Sequence, residues 1–163
     1  MSRFFIVAWL TLGIDAYAQC KYAKNETDDF TGSRTTVTQP VTFARYKLWN
    51  LKMYVFRSDS VYYLRLYFPT DKDFDLGCLT DRSYVSLKFA NGEVLTLRNR
   101  AAINCDDTKA MLLYLDNREY LKKNPIVKVR YSLERSVDLN VIDPESISKA
   151  ITCAELGSEV PGD

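Results

Sequence analysis

Three aspartates alternate in Asp71-Lys72-Asp73-Phe74-Asp75, a D-x-D-x-D run that lets carboxylates converge on a hard cation such as Ca²⁺. The run departs from a helix–loop–helix calcium loop at two places. Gly77 stands one position late, and Arg82 occupies the place of the bidentate glutamate. Asp71, Asp73 and Asp75 are therefore calcium candidates only in an irregular site, completed by Asp106 and Asp107 if Cys78 bonds Cys105. The plainer reading is a solvated acidic loop, and no resident metal or cofactor is expected. A second acidic group, Glu26, Asp28 and Asp29, follows Cys20 closely. Asx side chains there bond their own backbone, so the group reads as turn formers rather than catalytic acids. The chain has no His, which removes the commonest general base and excludes Ser-His and Cys-His nucleophiles. The expectation is a non-enzymatic domain. A hydrolase built on carboxylates alone is the enzymatic alternative, and it requires two acids converging in a pocket with one raised pKa. Asn25-Glu26-Thr27 is a glycosylation triplet, of a kind that often arises by chance.

Aromatic side chains are the other chemistry on offer. The chain carries eleven Tyr and eight Phe, and tyrosine supplies contact area at interfaces with a polar tip. Tyr54, Tyr63, Arg65 and Tyr67 form the candidate binding set, a surface for a protein or glycan partner. Ordinary strand composition is the competing account, since Tyr favours sheets. A structural subunit of an envelope assembly, with a large apolar patch, is a further alternative.

Charge and cysteine usage set the context. Lys and Arg number 22 against 21 Asp and Glu, a net charge of +1, which lacks the basic excess of a nucleic-acid protein. Arg3, the apolar run Phe4–Ile14 and Ala16-Tyr17-Ala18 compose a secretory signal peptide over 1–18, cleaved after Ala18. Eleven apolar residues fall short of the ~20 needed to span a bilayer, and no later stretch qualifies, so no membrane span is expected in the mature chain. Cys20 also invites a lipoprotein reading, but Tyr17-Ala18-Gln19 fits that site poorly. The protein is expected in the periplasm or secreted.

Cys20, Cys78, Cys105 and Cys153 show no zinc-ligand spacing. In an oxidising compartment they read as two disulfides with three possible connectivities. The favoured one is Cys20–Cys153, tying the termini, with Cys78–Cys105 bracketing a central hairpin.

Strand signals position these residues. In Val61–Phe68, Tyr62, Leu64, Leu66 and Phe68 alternate with Val61, Tyr63, Arg65 and Tyr67, giving a core face and an amphipathic face. Phe43–Phe56 is similar, with a turn expected at Trp49-Asn50. In Tyr84–Leu97, a two-residue Asn91-Gly92 loop would put Leu95 and Leu97 on the wrong face. A three-residue Ala90-Asn91-Gly92 loop with Gly92 left-handed pairs Leu87 with Leu95 and Val85 with Leu97. A short helix is expected over 116–123, capped by Asp116 and stopped at Asn124-Pro125. Strands follow over Val127–Leu133 and Val137–Val141. The last helix has Asp143 as cap, Pro144 at its first position, an Ile142/Ile147 staple, and an apolar stripe of Ile147, Ala150, Ile151 and Ala154. Lys21–Pro40 is unpatterned, a wandering segment or an edge strand. The sum is one α+β domain over 19–156, a mostly antiparallel sheet with the C-terminal helix packed on it, and a flexible tail over 157–163. A β-sandwich with peripheral helices is the alternative.

Cys20-Lys-Tyr-Ala-Lys-Asn-Glu-Thr-Asp-Asp-Phe-Thr-Gly32, Phe89–Leu97 and Ile126–Arg130 ahead of a Cys-bearing final helix resemble small exported proteins of unknown function from Bacteroidota. That resemblance implies export from a Gram-negative cell and brings no catalytic residue with it.

Overall fold

Period-two burial organises the chain into one sheet, seen in a computed structural model that describes residues 20–69, 76–105 and 108–157. The expected leader over 1–18, the calcium candidates Asp71, Asp73 and Asp75, their partners Asp106 and Asp107, and residues 158–163 lie outside the described residues. The strands are β1 (Tyr22–Thr27), β2 (Arg34–Thr38), β3 (Val41–Tyr46), β4 (Trp49–Ser58), β5 (Val61–Pro69), β6 (Tyr84–Phe89), β7 (Val94–Arg98), β8 (Thr108–Tyr114), β9 (Ile126–Ser132) and β10 (Ser136–Val141). Helix α1 (Arg118–Lys123) lies between β8 and β9, and α2 (Ser146–Leu156) follows β10.

All ladders are antiparallel. The main path runs β8-β5-β4-β3-β10-β9-β6-β7. One edge of β4 is shared: β3 pairs with Trp49–Met53 and β2 with Phe56–Ser58, while β5 takes the other edge. The sheet is open. Beyond β7 the bridge Asn99↔Leu113 brings the chain to β8, so the two ends of this path approach one another without a ladder between them among the described residues.

The inward residues of both halves form a single core. Leu51, Met53 and Val55 of β4, Leu64 and Leu66 of β5, and Met111 and Leu113 of β8 face Val85, Leu87 and Phe89 of β6, Val129 and Tyr131 of β9, and Leu139 of β10. Tyr131 crosses this core to hydrogen-bond the Met111 backbone, and burial pushes its phenol pKa up. The result is sandwich-like, with the helices on one end: α2 buries Ile147, Ala150, Ile151 and Ala154, the expected stripe.

Arg57 ties this end together. Its guanidinium donates to the carbonyls of Ala154 and Glu155 at 3.5 Å and lies 5.1 Å from the Tyr62 ring. Lys122 of α1 reaches the Glu155 carboxylate at 2.9 Å.

The disulfides are Cys20–Cys153 and Cys78–Cys105, the favoured connectivity. They are consistent with a protein outside the reducing cytosol, and no helix among the described residues is long and apolar enough to cross a membrane. Sequence separations of 133 and 27 correspond to roughly 5 and 3.5 kcal/mol in the chain-entropy account of cross-linking.

Several local expectations need correction. The β3–β4 turn is Lys47-Leu48 rather than Trp49-Asn50. Trp49 packs against the core, whereas Leu48 is 92% exposed, so burial of the indole moves the turn upstream. Lys21–Pro40 is not a wandering segment: β1 and β2 form a hairpin. Helix α1 starts at Arg118, and its first bond runs from Leu121 N–H to the Asn117 carbonyl, so Asp116 is not its cap.

At α2, Asp143 closes a turn one step ahead of the helix. Its side chain accepts from Glu145 N–H at 3.0 Å, and its carbonyl takes the N–H and hydroxyl of Ser146 at 3.1 and 2.6 Å. The helix therefore starts at Ser146, and no Ile142 staple forms because Ile142 is 50% exposed. Gly157, first residue of the expected tail, is buried and closes α2 through its N–H to the Cys153 carbonyl.

The β6–β7 hairpin adopts the bulged form. Phe89 N–H bonds the Glu93 carbonyl and Gly92 N–H bonds the Phe89 carbonyl, with Leu87 opposite Leu95 and Val85 opposite Leu97. Gly92 has φ +90°, and a Cβ there meets no neighbour. Gly92→Ala is thus destabilising through backbone strain alone, by about 1–2 kcal/mol. Urea unfolding measures it, and an unchanged midpoint would contradict the left-handed turn.

Candidate functional site

The register that buries Leu64 and Leu66 turns the intervening residues outward. Across β4, β5 and β8 they align in three rows: Phe56–Tyr63–Tyr114, Tyr54–Arg65–Leu112 and Lys52–Tyr67–Ala110. None of these side chains is buried, and Arg65, Lys52 and Tyr114 are exposed. Tyr63 sits between Phe56 and Tyr114 with ring centroids 5.9 and 5.6 Å away, and Tyr54 meets Tyr67 edge-on at 6.4 Å. The Arg65 guanidinium lies 5.9 Å from the Tyr54 ring and the Lys52 ammonium 6.0 Å from the Tyr67 ring. Both distances reach the outer limit of cation–π attraction. Among the described residues the face is a half-buried aromatic sheet surface carrying two cations and no carboxylate.

Tyr54, Tyr63, Arg65 and Tyr67 are thereby brought together on one face. The sequence reading missed Phe56, Leu112, Tyr114 and Lys52. Tyr54 implies Phe56 and Lys52 by parity along β4. Ala110–Leu115 is apolar throughout, so its alternation is hidden until Met111 and Leu113 are known to be buried.

A groove of about 380 Å³ borders this face, lined by Arg65 and Ala110 on the sheet side and by Leu79 and residues 101–105 on the other. Ile103 stands 71% exposed along it. Three devices hold the groove wall. The Cys78–Cys105 disulfide joins its ends, and Leu79 and Asn104 exchange backbone hydrogen bonds at 2.7 and 3.0 Å. Asn99, nearly fully buried, uses every available group: Nδ2 donates to the Thr80 and Ala101 carbonyls at 3.0 Å, and Oδ1 accepts from Ala101 N–H at 3.0 Å and Leu112 N–H at 3.2 Å. Arg100 N–H adds a bond to the Leu112 carbonyl at 2.7 Å.

Every shift resolved among the described Asp and Glu side chains is downward. Backbone N–H groups of Thr31 and Arg34 lower Asp28 and Asp59 respectively, and Lys122 lowers Glu119. The largest effect is at Asp138, drawn down to about 2 chiefly by Arg130, with Lys128 beside it. Glu26, Asp28 and Asp29 sit on the exposed β1–β2 hairpin, where Asp28 accepts from Phe30 and Thr31 N–H, the turn-forming role expected of it. Asn25 of the glycosylation triplet lies within β1, its Oδ1 accepting from Thr36 at 3.2 Å and Arg34 at 3.4 Å. Among the described residues no group of three or more Cys, Asp and Glu could hold a metal. The chain matches no family model, no curated protein and no solved structure.

Replacing Asn99 by Ala deprives several backbone groups of their partners at once, and a cost of about 2–4 kcal/mol is expected from buried unsatisfied donors and acceptors. Hydrogen exchange at Ala101 and Leu112 should accelerate in that variant, whereas unchanged protection would dissociate Asn99 from the groove wall. At Asp138 the depressed pKa stabilises the folded state above the ordinary carboxylate range, and that contribution disappears as pH falls through about 2. Because the pair is exposed, Asp138→Asn should cost only about 0.5–1 kcal/mol at neutral pH. Urea melts should show the gap closing between about pH 4 and pH 2.

Proposed function

We propose that this protein is an exported, non-enzymatic binding domain that engages a protein or glycan partner through the aromatic face of β4, β5 and β8. The observation that carries the reading is the convergence of Tyr54, Phe56, Tyr63, Arg65, Tyr67, Leu112 and Tyr114 on a single outward surface. Tyrosine and arginine are the residues most enriched among interface anchors. The rings lean on one another across strands, so they are held in place before a partner arrives and lose little freedom on binding. Of the two partner classes, a protein is the better fit. The face is broad and bordered by an open groove with an apolar rim at Ile103, a shape for a protruding side chain or strand.

The leader-like sequence over 1–18 and the two disulfides support export, and they are consistent with a periplasmic or secreted site of action. An envelope subunit would use the same face for permanent contacts. A carboxylate hydrolase draws no support from the described acids, whose resolved shifts all favour the ionised form.

A photo-crosslinking residue at Arg65, in protein exported by its source cell, should give one discrete adduct. The same residue at Lys123, on α1, should not. Tyr63→Ser with Tyr67→Ser should abolish the adduct while the domain stays folded, at a stability cost of about 1–2 kcal/mol for the lost cross-strand pairs. Equal adducts at both positions, or an adduct indifferent to the double substitution, would refute the assignment.

A further inference from the structure

The outward face of the other half of the sheet has the opposite chemistry. β7, β6, β9 and β10 present the rows Val94–Lys88–Lys128–Asn140 and Thr96–Ser86–Arg130–Asp138, with Arg98 beside Tyr84 in the next row. Arg45 of β3 extends the first row, standing opposite Asn140. Lys88 and Lys128 are direct cross-strand neighbours, an arrangement that destabilises a sheet unless something else compensates. Among the described residues one carboxylate serves the group: Asp138 holds Arg130 at 2.6 Å and Lys128 at 3.3 Å. Lys88 and Arg98 form no ion pair among the described residues, and the carboxylate of Glu93 is turned to Asn91 and Tyr120 instead. A shallow depression of about 290 Å³ lies over Ser86, Lys88, Val94, Lys128, Arg130 and Asp138. The chain's single net positive charge therefore conceals a strongly basic face.

We propose that this face binds an acidic polysaccharide. The cations are spread from β7 to β3, four strand intervals or about 19 Å at the ordinary spacing, which suits a chain of anionic groups rather than one phosphate. Hydroxyls are interleaved with them, Ser86 and Thr96 sharing a hydrogen bond across β6 and β7 and Ser136 exposed on β10, matching the hydroxyls of a sugar polymer. A single-stranded nucleic acid would require exposed rings for base stacking, and among the described residues the face offers only the half-buried Tyr84. A membrane surface would require several bulky apolar side chains beside the cations, and among the described residues of β6, β7 and β9 only Val94 and Val127 are exposed ones. Asp138 acts as an internal stand-in for the ligand's anions, keeping Lys128 and Arg130 extended along the sheet.

Heparin serves as the acidic probe and neutral dextran as its control, with the disulfide-intact mature protein. Heparin should bind at about 0.15 M salt, where exposed charges are screened beyond ~8 Å, and dextran should not. Lys88→Glu with Arg98→Glu should weaken heparin at least tenfold and reduce the dependence of log K on log salt by about two. The milder Lys88→Gln with Arg98→Gln should weaken it less, and it guards against misfolding of the charge-reversed form. Asp138→Asn should tighten binding severalfold by releasing two cations, a direction that damage to the fold would not produce. Tyr63→Ser with Tyr67→Ser should leave it unchanged, separating this face from the aromatic one. Absence of heparin binding, indifference to both Lys88/Arg98 variants, or weaker binding by Asp138→Asn would overturn the proposal. So would tighter association with single-stranded DNA or with anionic phosphatidylglycerol vesicles than with heparin.

Discussion

Side-chain alternation in β5 is the constraint on which the rest of the molecule depends. Leu64 and Leu66 are wholly buried in the common core, and a strand that buries alternate residues has no freedom over where the others point. β5 is also paired along most of its length on both edges, to β4 and to β8. Its register therefore sets theirs. A one-residue slip would send Tyr63, Arg65 and Tyr67 into the core and Leu64 and Leu66 into water, at a cost of about 1.5–3 kcal/mol for each large apolar side chain exposed. The aromatic face is in this sense a consequence of the core, fixed by the same ladder bonds.

Folding one sheet over one core makes two outward faces, and their compositions diverge. On β4, β5 and β8 the outward positions hold rings and aliphatic side chains; on β6, β7, β9 and β10 they hold lysine, arginine and hydroxyls. Solubility alone asks only for mixed charge on both. Among the described residues, acids such as Asp28, Asp59, Glu119 and Glu155 stand at the β1–β2 and β4–β5 turns and on the helices. Cross-strand repulsion between Lys88 and Lys128 is retained although nothing in the core requires cations there, since both side chains face away from it.

Much of this was legible in the sequence where a local rule had no competitor. VYYLRLYF declared both its faces because its alternate residues differ in polarity, and the β6–β7 hairpin declared its loop length because only one parity buries Leu95 and Leu97 together. The even cysteine count read as two disulfides with three possible connectivities, and the one favoured, with Cys20 and Cys153 tying the termini, is the one formed. Legibility failed where long-range packing overrode local chemistry. Trp49 reads as a turn residue until the core claims its indole. Asp143 and Pro144 read as a helix start, yet Ile126 N–H takes the Pro144 carbonyl and holds that turn against β9. Lys21–Pro40 carries no pattern because β1 and β2 lie at the margin, where little is buried beyond Thr36 and Thr38. The basic face was invisible for a different reason: its lysines and arginines come from strands far apart in sequence, and a net charge averages them with distant acids.

An open sheet has edges to protect, and the ways this one does so connect the two faces. At the β1 end, Lys24 and Glu26 pair at 2.9 Å on the exposed edge strand, and charge on an edge discourages pairing with another chain. At β7, one end of the main path, the strand is short, and the chain leaving it turns through Asn99 onto β8. The carboxamide of Asn99 then supplies ladder-like bonds that a regular strand would have made with its backbone. That substitution brings the two ends of the path together without closing them. The gap it leaves is where residues 101–105 emerge and where the groove beside Arg65 forms. A fully closed barrel would have satisfied the edges more simply, at the loss of that groove. The incomplete closure is thus the structural origin of the concave surface next to the aromatic rows, and a buried amide, rather than a longer strand, keeps it open.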